Sequence, residues 1–153
     1  MATLTILYGS ATGNAKQIAL DLESKYSRNN NEKLPSCFDS IQCYEGNQFK
    51  QKCVSTWETN AALIHTDTDT ETNTNTALAR KHGLLVITST TGNGDAPENI
   101  SRFVRYLKRR NTPESKPFQN VAFAVLGLGD TNYDQFCATA KTVDSKLEVC
   151  AGE

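Results

Sequence analysis

Short apolar runs stop abruptly at clusters of Gly, Ser, Thr and Asn and give way at once to helical patterning. This feature most restricts what the chain can fold into. "TLTILY" (3–8), "LLVITS" (84–89) and "VAFAVLGL" (121–128) are such runs, and "CFDSIQCYE" (37–45) is a weaker one. None alternates cleanly between apolar and polar residues, the pattern of strands covered on both faces of a parallel sheet. Helical stripes separate them. Ala15, Ile18, Ala19, Leu22 and Tyr26 share one face, with Asn14 expected as N-cap. Ile100, Phe103, Val104 and Leu107 form a second stripe, expected to open at Asp95 and Pro97. Phe136, Ala140, Val143 and Leu147 form a third. Strand and helix in alternation predict an open α/β sheet with right-handed crossovers and helices on both faces.

Length and charge narrow the function classes. A chain of 153 residues suits one domain with a sizeable core. A formal charge of −1 gives no general electrostatic reason to expect nucleic acid or an acidic membrane as partner. "MATLTILYG" has neither the charged n-region of a signal peptide nor the length of a membrane span. Cys37, Cys43, Cys53, Cys137 and Cys150 form no CxxC pair and are odd in number, which favours free thiols in a reducing, cytoplasmic compartment. His65 and His82 stand apart from each other and from any cysteine at ligand spacing, so no metal site is expected. "HTDTDTETNTNTALAR" (65–80) alternates Thr with Asp, Glu or Asn but carries no apolar face. It reads as a solvated, mobile insertion at about 56–80, with Trp57 just upstream of the repeat and given no role.

In a parallel sheet the turns after the strands open on one edge, where ligands of open α/β folds bind. That brings together "GSATGNA" (9–15), "STTGNGDAPEN" (89–99) and "LGLGDTNYDQFC" (126–137). Turn chemistry alone accounts for any one of them; three similarly furnished loops on one edge point to a ligand. The first loop suits a phosphate. Amides at a helix start, with the helix dipole behind them, attract an anion. Ser10 and Thr12 add hydroxyls, Asn14 an amide, and Gly13 allows close approach. The turn holds no lysine and lacks the GxxxxGK[ST] spacing of a P-loop. Gly127 and Gly129 are followed by Asn132 where the GxGxxG fingerprint needs its third glycine. In the other loops Tyr133 can lie against an aromatic ring and the Gly92 peptide is free to rearrange. A flat heterocycle carrying a monophosphate on a short chain fits, and that ligand is FMN.

At these residues the sequence resembles the FMN-binding, flavodoxin-like domain of the diflavin reductases. "STTGNGDAPENISRFVRYL" and "LGLGDTNYDQFCATAKTVDSKL" are most similar to the methionine synthase reductase branch. The resemblance spans nearly the whole chain except about residues 46–80. It implies a flavodoxin-like sheet of order 2-1-3-4-5. It also implies that Ser10, Ala11, Thr12, Gly13, Asn14 and Ala15 cradle the FMN phosphate. Ser89, Thr90, Thr91 and Gly92 would line one side of the ring, with the Gly92 carbonyl facing flavin N5–H. Leu128, Gly129, Asp130, Thr131, Asn132, Tyr133, Asp134, Gln135, Phe136 and Cys137 would wrap the other side, with Tyr133 as the stacking ring.

The activity implied is one-electron transfer. NADPH reduces FAD in a separate module, FMN receives the electrons, and an acceptor protein takes them, in this branch the cobalamin of methionine synthase. Asp95, Glu98, Asp130 and Asp134 would rim the flavin, opposing added negative charge and docking a basic partner. Singly, each is also accounted for as a surface charge, and Asp95 as a helix cap. Arg102, Arg105, Lys108, Arg109 and Arg110 read as the solvated outer face of the second helix.

Two departures from the family pattern stand out. Thr91 occupies a position that is aromatic in many members, which removes one stacking contact worth about 0.5–1.5 kcal/mol. The chain also ends at "KLEVCAGE", where the resemblance predicts a fifth strand, a final helix, a linker and the FAD/NADPH module. Reduction by NADPH is therefore expected to need that separate module, and "VAFAVLGL" is expected to form an uncovered edge. Three readings stay open: this electron-transfer module, an FMN domain of another diflavin reductase or a free-standing shuttle, and a scaffold without flavin.

Overall fold

A computed structural model describes residues 2–27, 38–54, 57, 82–109, 112, 117–119 and 121–151. The sheet has four strands, all parallel, in the order β2-β1-β3-β4: β1 (Thr3–Gly9), β2 (Ser40–Glu45), β3 (His82–Ser89) and β4 (Val121–Leu128). Register is set by the pairs Thr3 with Ser40, Leu4 with Gly83, and His82 with Val121. The helices are α1 (Asn14–Tyr26), α2 (Ser101–Leu107) and α3 (Ala138–Ala151).

Because successive strand residues point to opposite faces, the sheet sorts its side chains into two cores. On one face Ile6, Tyr8 and Ile87 meet Ala15 and Ala19 of α1, with Ile18 and Leu22 alongside. On the other, Leu7, Leu84, Val86 and Val121 meet Ile100, Phe103, Val104 and Leu107 from the α2 region and Val143, Leu147 and Cys150 of α3. This second core is the more aromatic. Phe49 packs edge-on to Phe103 with centroids 5.0 Å apart, and Trp57 lies 5.5 Å from Phe118. Trp57 is only 4% exposed, so it belongs to the core. The Thr/Asp-rich run at 65–80 and Cys37 lie outside the described residues.

Several local expectations change. The cap of α1 is Gly13, at φ +98°, and Asn14 is the first helical residue. The left-handed glycine turns the chain so that its own carbonyl accepts the Gln17 amide at 2.9 Å. α2 is preceded by a 3-10 turn, Glu98–Ile100, with Pro97 at its cap, and Asp95 does not open a helix. Phe136 lies in the turn before α3, which begins at Ala138, so only Ala140, Val143 and Leu147 of that stripe are helical. β4 was expected to be buried on both faces, but it alternates: Ala122, Ala124 and Leu126 are exposed while Val121 is buried and Phe123 and Val125 are half-buried. Its neighbours on the open face are apolar in sequence too, which hides the alternation from a pattern search. Among the described residues no helix is long and apolar enough to cross a membrane.

Candidate functional site

All four strands run the same way, so the ends of β1, β3 and β4 deliver their loops to one edge. The β1 end is held by close backbone approach. A Cβ on Gly9 would stand 2.3 Å from Ile100 Cγ2 and 2.7 Å from Thr88 Oγ1, so only glycine lets the chain pass. The next residue is anchored from the second loop: the Ser10 amide donates to Asn99 Oδ1 at 3.0 Å. Ser10 Oγ in turn accepts the Gly13 amide at 2.9 Å. No side chain caps α1. Its first amides, on Asn14, Ala15 and Lys16, therefore lack the partners that a cap would supply and face the loop with the helix dipole. Ala15 is fully buried by its side chain, so it offers only its backbone.

The second loop folds back on itself. Thr91 and Asp95 exchange backbone hydrogen bonds of 2.8 Å, and the turn between them places Gly92 at φ +48° and Gly94 at φ +100°. It is fastened to the start of α3. The Thr139 amide donates to Thr90 Oγ1, and Thr139 Oγ1 donates to the Asp95 carbonyl, both at 3.1 Å. The third loop opens with the Asn132 amide on Asp130 Oδ1 at 2.8 Å and continues as successive turns at Tyr133 and Phe136. Cys137 closes it in the left-handed region, at φ +51°. Its sulfur fills the space that a Cβ on Gly129 would need, 2.9 Å away. Tyr133, 48% exposed, reaches across and donates its hydroxyl to the Gly92 carbonyl.

Three concavities result. A cleft of about 650 Å³ joins Thr12, Asn14, Gln17 and Ile18 to Ser89 and Thr90 and to Leu128 and Gly129, so all three loops meet in it. Ser89 Oγ is buried beside it without a hydrogen-bond partner, which is unusual for a buried hydroxyl. A second hollow, about 660 Å³, lies between Ser10 and Ala11 on one side and Thr91, Glu98 and Asn99 on the other. The third, about 350 Å³, runs between Gly92–Asn93 and Asn132–Gln135. Thr131, Phe136 and Cys137 line none of the three, and Phe136 and Cys137 pack against Gly129. Asp95, Glu98, Asp130 and Asp134 are all exposed around the edge. The uncapped amides, the partnerless Ser89 hydroxyl and the slot beside Tyr133 fit a ligand with a phosphate at one end and a flat ring at the other.

Nothing in the sequence marks Asn99, Thr139 or Gln17 as site residues, and Ile18 reads there only as part of the apolar stripe of α1. Asn99 lies within the quoted second loop, but its target is a backbone amide 89 residues away, and nothing in the sequence marks that pairing.

The fold and this edge define a flavodoxin-type domain. Residues 58–152, more than half of the chain, match the flavodoxin family, and the chain belongs to it. Flavodoxin domains bind FMN. The sulfite reductase [NADPH] flavoprotein alpha-component of Shigella dysenteriae is 30% identical over 154 residues, and that of Bacillus subtilis is 29% identical over 150. These alignments cover 100% and 98% of this chain but 20% and 19% of the relatives, so the chain spans about a fifth of their length. In fold it is similar to a flavodoxin of Streptococcus pneumoniae, with a TM-score of 0.58 and 20% identity over 99% of this chain and 79% of that one.

Proposed function

We propose that this chain binds FMN and passes single electrons from a reduced FAD/NADPH module to an acceptor protein, as one cytoplasmic domain. One observation carries the reading: three loops meet on the sheet edge around an uncapped helix start and a buried hydroxyl with no partner. Bound FMN supplies the one-electron chemistry. The chain's part is to hold and bias it. Ser10 to Ala15 would grip the phosphate, Ser89 to Gly92 and Leu128 to Gln135 would flank the ring, with Phe136 and Cys137 packed behind that loop, and the four rim carboxylates would oppose extra negative charge on it. Each hydrogen bond to the phosphate contributes about 1.5–3 kcal/mol, so several suffice without a lysine. The described cysteines Cys43, Cys53, Cys137 and Cys150 are unpaired, in keeping with a reducing compartment.

The acceptor we assign is the cobalamin of methionine synthase, on the similarity of the second and third loops to that branch of the family. The sulfite reductase relatives favour a second reading, an FMN domain serving another acceptor. Titration of the protein with FMN, following flavin fluorescence against a riboflavin control, tests the first step. Saturable quenching by FMN but not by riboflavin is expected. Absence of quenching by folded monomer would leave a scaffold without flavin. Mixing the reduced, FMN-loaded protein with methionine synthase then tests the acceptor, with loss of the cob(II)alamin absorbance as the readout.

A further inference from the structure

The cations of α2 were expected to be a plain solvated face, but they line a cleft. Arg102, Arg105 and Arg109 share a concavity of about 520 Å³ with Lys50 and Gln51 from the segment after β2. Its wall includes the half-buried ring of Tyr106, with Lys50 Nζ 5.5 Å from the ring centroid. Asn47 closes one end. Its amide donates to the Glu98 carbonyl at 2.7 Å, and its oxygen accepts the Arg102 amide at 2.8 Å. Among the described residues no carboxylate lines the cleft, and none of these four cations makes an ion pair.

We propose that this cleft is a docking site for an acidic polypeptide segment of a partner protein. Arg102 and Arg105 fall on one face of α2, and Arg109, in the turn just after the helix, lines the same cleft. A single phosphate cannot fill a cleft of about 520 Å³. An extended chain rising about 3.3 Å per residue can, with carboxylates spread over three or four residues. Arginine forks suit carboxylates bidentately, and the Gln48 and Gln51 amides opposite can bond to the backbone of that segment. Asn47 lines both this cleft and the hollow that holds Glu45 and Glu98, so the molecule offers partners adjoining patches of opposite sign. That arrangement fixes orientation during encounter more than it adds affinity. The site does not depend on flavin binding.

The test is fluorescence anisotropy of a labelled octaglutamate peptide at about 50 and 300 mM salt. Saturable binding that weakens with salt is expected. It should fall at least tenfold in R105E/R109E and stay within twofold in K25E/K146E, which changes net charge equally elsewhere. Quenching of FMN by both variants, equal to that of the parent, shows that the fold and the flavin edge are intact. Equal losses in both variants, or no saturable binding, would overturn the proposal. Displacement by pyrophosphate at the peptide's own concentration would make the cleft a small-anion site instead. Tenfold tighter binding in D67N/D69N/E71Q would assign it to the chain's own acidic run, and concentration-dependent dimerisation lost in R105E/R109E would assign it to a second copy.

Discussion

The Tyr133 hydroxyl donates to the Gly92 carbonyl, joining the third loop to the second across 41 residues of sequence. A flat ring entering between these loops has to part them. Tyr133→Phe keeps the ring face and removes the tie. In stopped-flow quenching, association of FMN should become severalfold faster while affinity changes less than threefold. Tyr133→Ala removes the ring itself and should weaken FMN by about 0.5–1.5 kcal/mol.

Asn99 holds the Ser10 amide from a different loop, at 3.0 Å. Asn99→Ala leaves that amide without a partner and frees the start of the phosphate loop. A hydrogen bond of this kind contributes about 0.5–1.5 kcal/mol. Affinity for FMN should drop up to about tenfold by fluorescence titration, while riboflavin still gives no saturable quenching.

Gly9→Ala places a methyl against the fully buried Ile100 and the hydroxyl of Thr88. Overpacking of this kind costs about 1–3 kcal/mol. The urea midpoint should fall at constant m-value, and FMN binding should weaken with it because Ser10 is the next residue.

Burial pushes the thiols of Cys43 and Cys53 up to about 12. At pH 8 the thiolate fraction of such a group is about one in ten thousand. Both cysteines should resist iodoacetamide in the native protein over a period that labels them fully in urea, as peptide mass mapping would show. Rapid native labelling of either would mean that the structure around that cysteine opens locally.

His82 is buried, and burial lowers its pKa below 6.5. Its Nδ1 also accepts the Thr3 amide at 3.3 Å, which a protonated imidazole cannot do at that atom. The native state therefore holds His82 neutral, and the unfolded chain takes up the proton first on acidification. The stabilising term is complete above about pH 6.5 and is lost as pH falls toward the native pKa. Between pH 7.5 and 5.5 the melting temperature of the parent should fall more steeply than that of His82→Gln.

How much was legible follows from the range of each interaction. β1, β3 and β4 were visible because apolar residues run up to a glycine or hydroxyl cluster. α1 was visible because Ala15, Ile18, Ala19 and Leu22 repeat at helical spacing. The cap shifted from Asn14 to Gly13 because propensity favours the amide side chain, whereas the geometry of the turn needs a positive φ. The outward alternation of β4 was invisible, since alanine and leucine read as core wherever they fall. The edge that gathers the three loops follows from parallel topology alone. The ties that shape that edge, Asn99 to Ser10 and Thr139 to Thr90, join positions 89 and 49 residues apart and leave no local trace. The cations at 102–109 are legible as a basic run, but the concavity they line is completed by a segment around Lys50, more than fifty residues upstream.

Those crosswise ties bear on how such a site can be moved or rebuilt. The first loop is pinned by a residue of the second, the second by the opening turn of α3, and the third by the second through Tyr133. No loop is a self-contained cassette. Grafting the phosphate turn onto another scaffold without Asn99, or exchanging the second loop without Thr139, would transfer the sequence and leave the shape behind. Substitutions in different loops should also fail to add, so the three have to be engineered as a single unit.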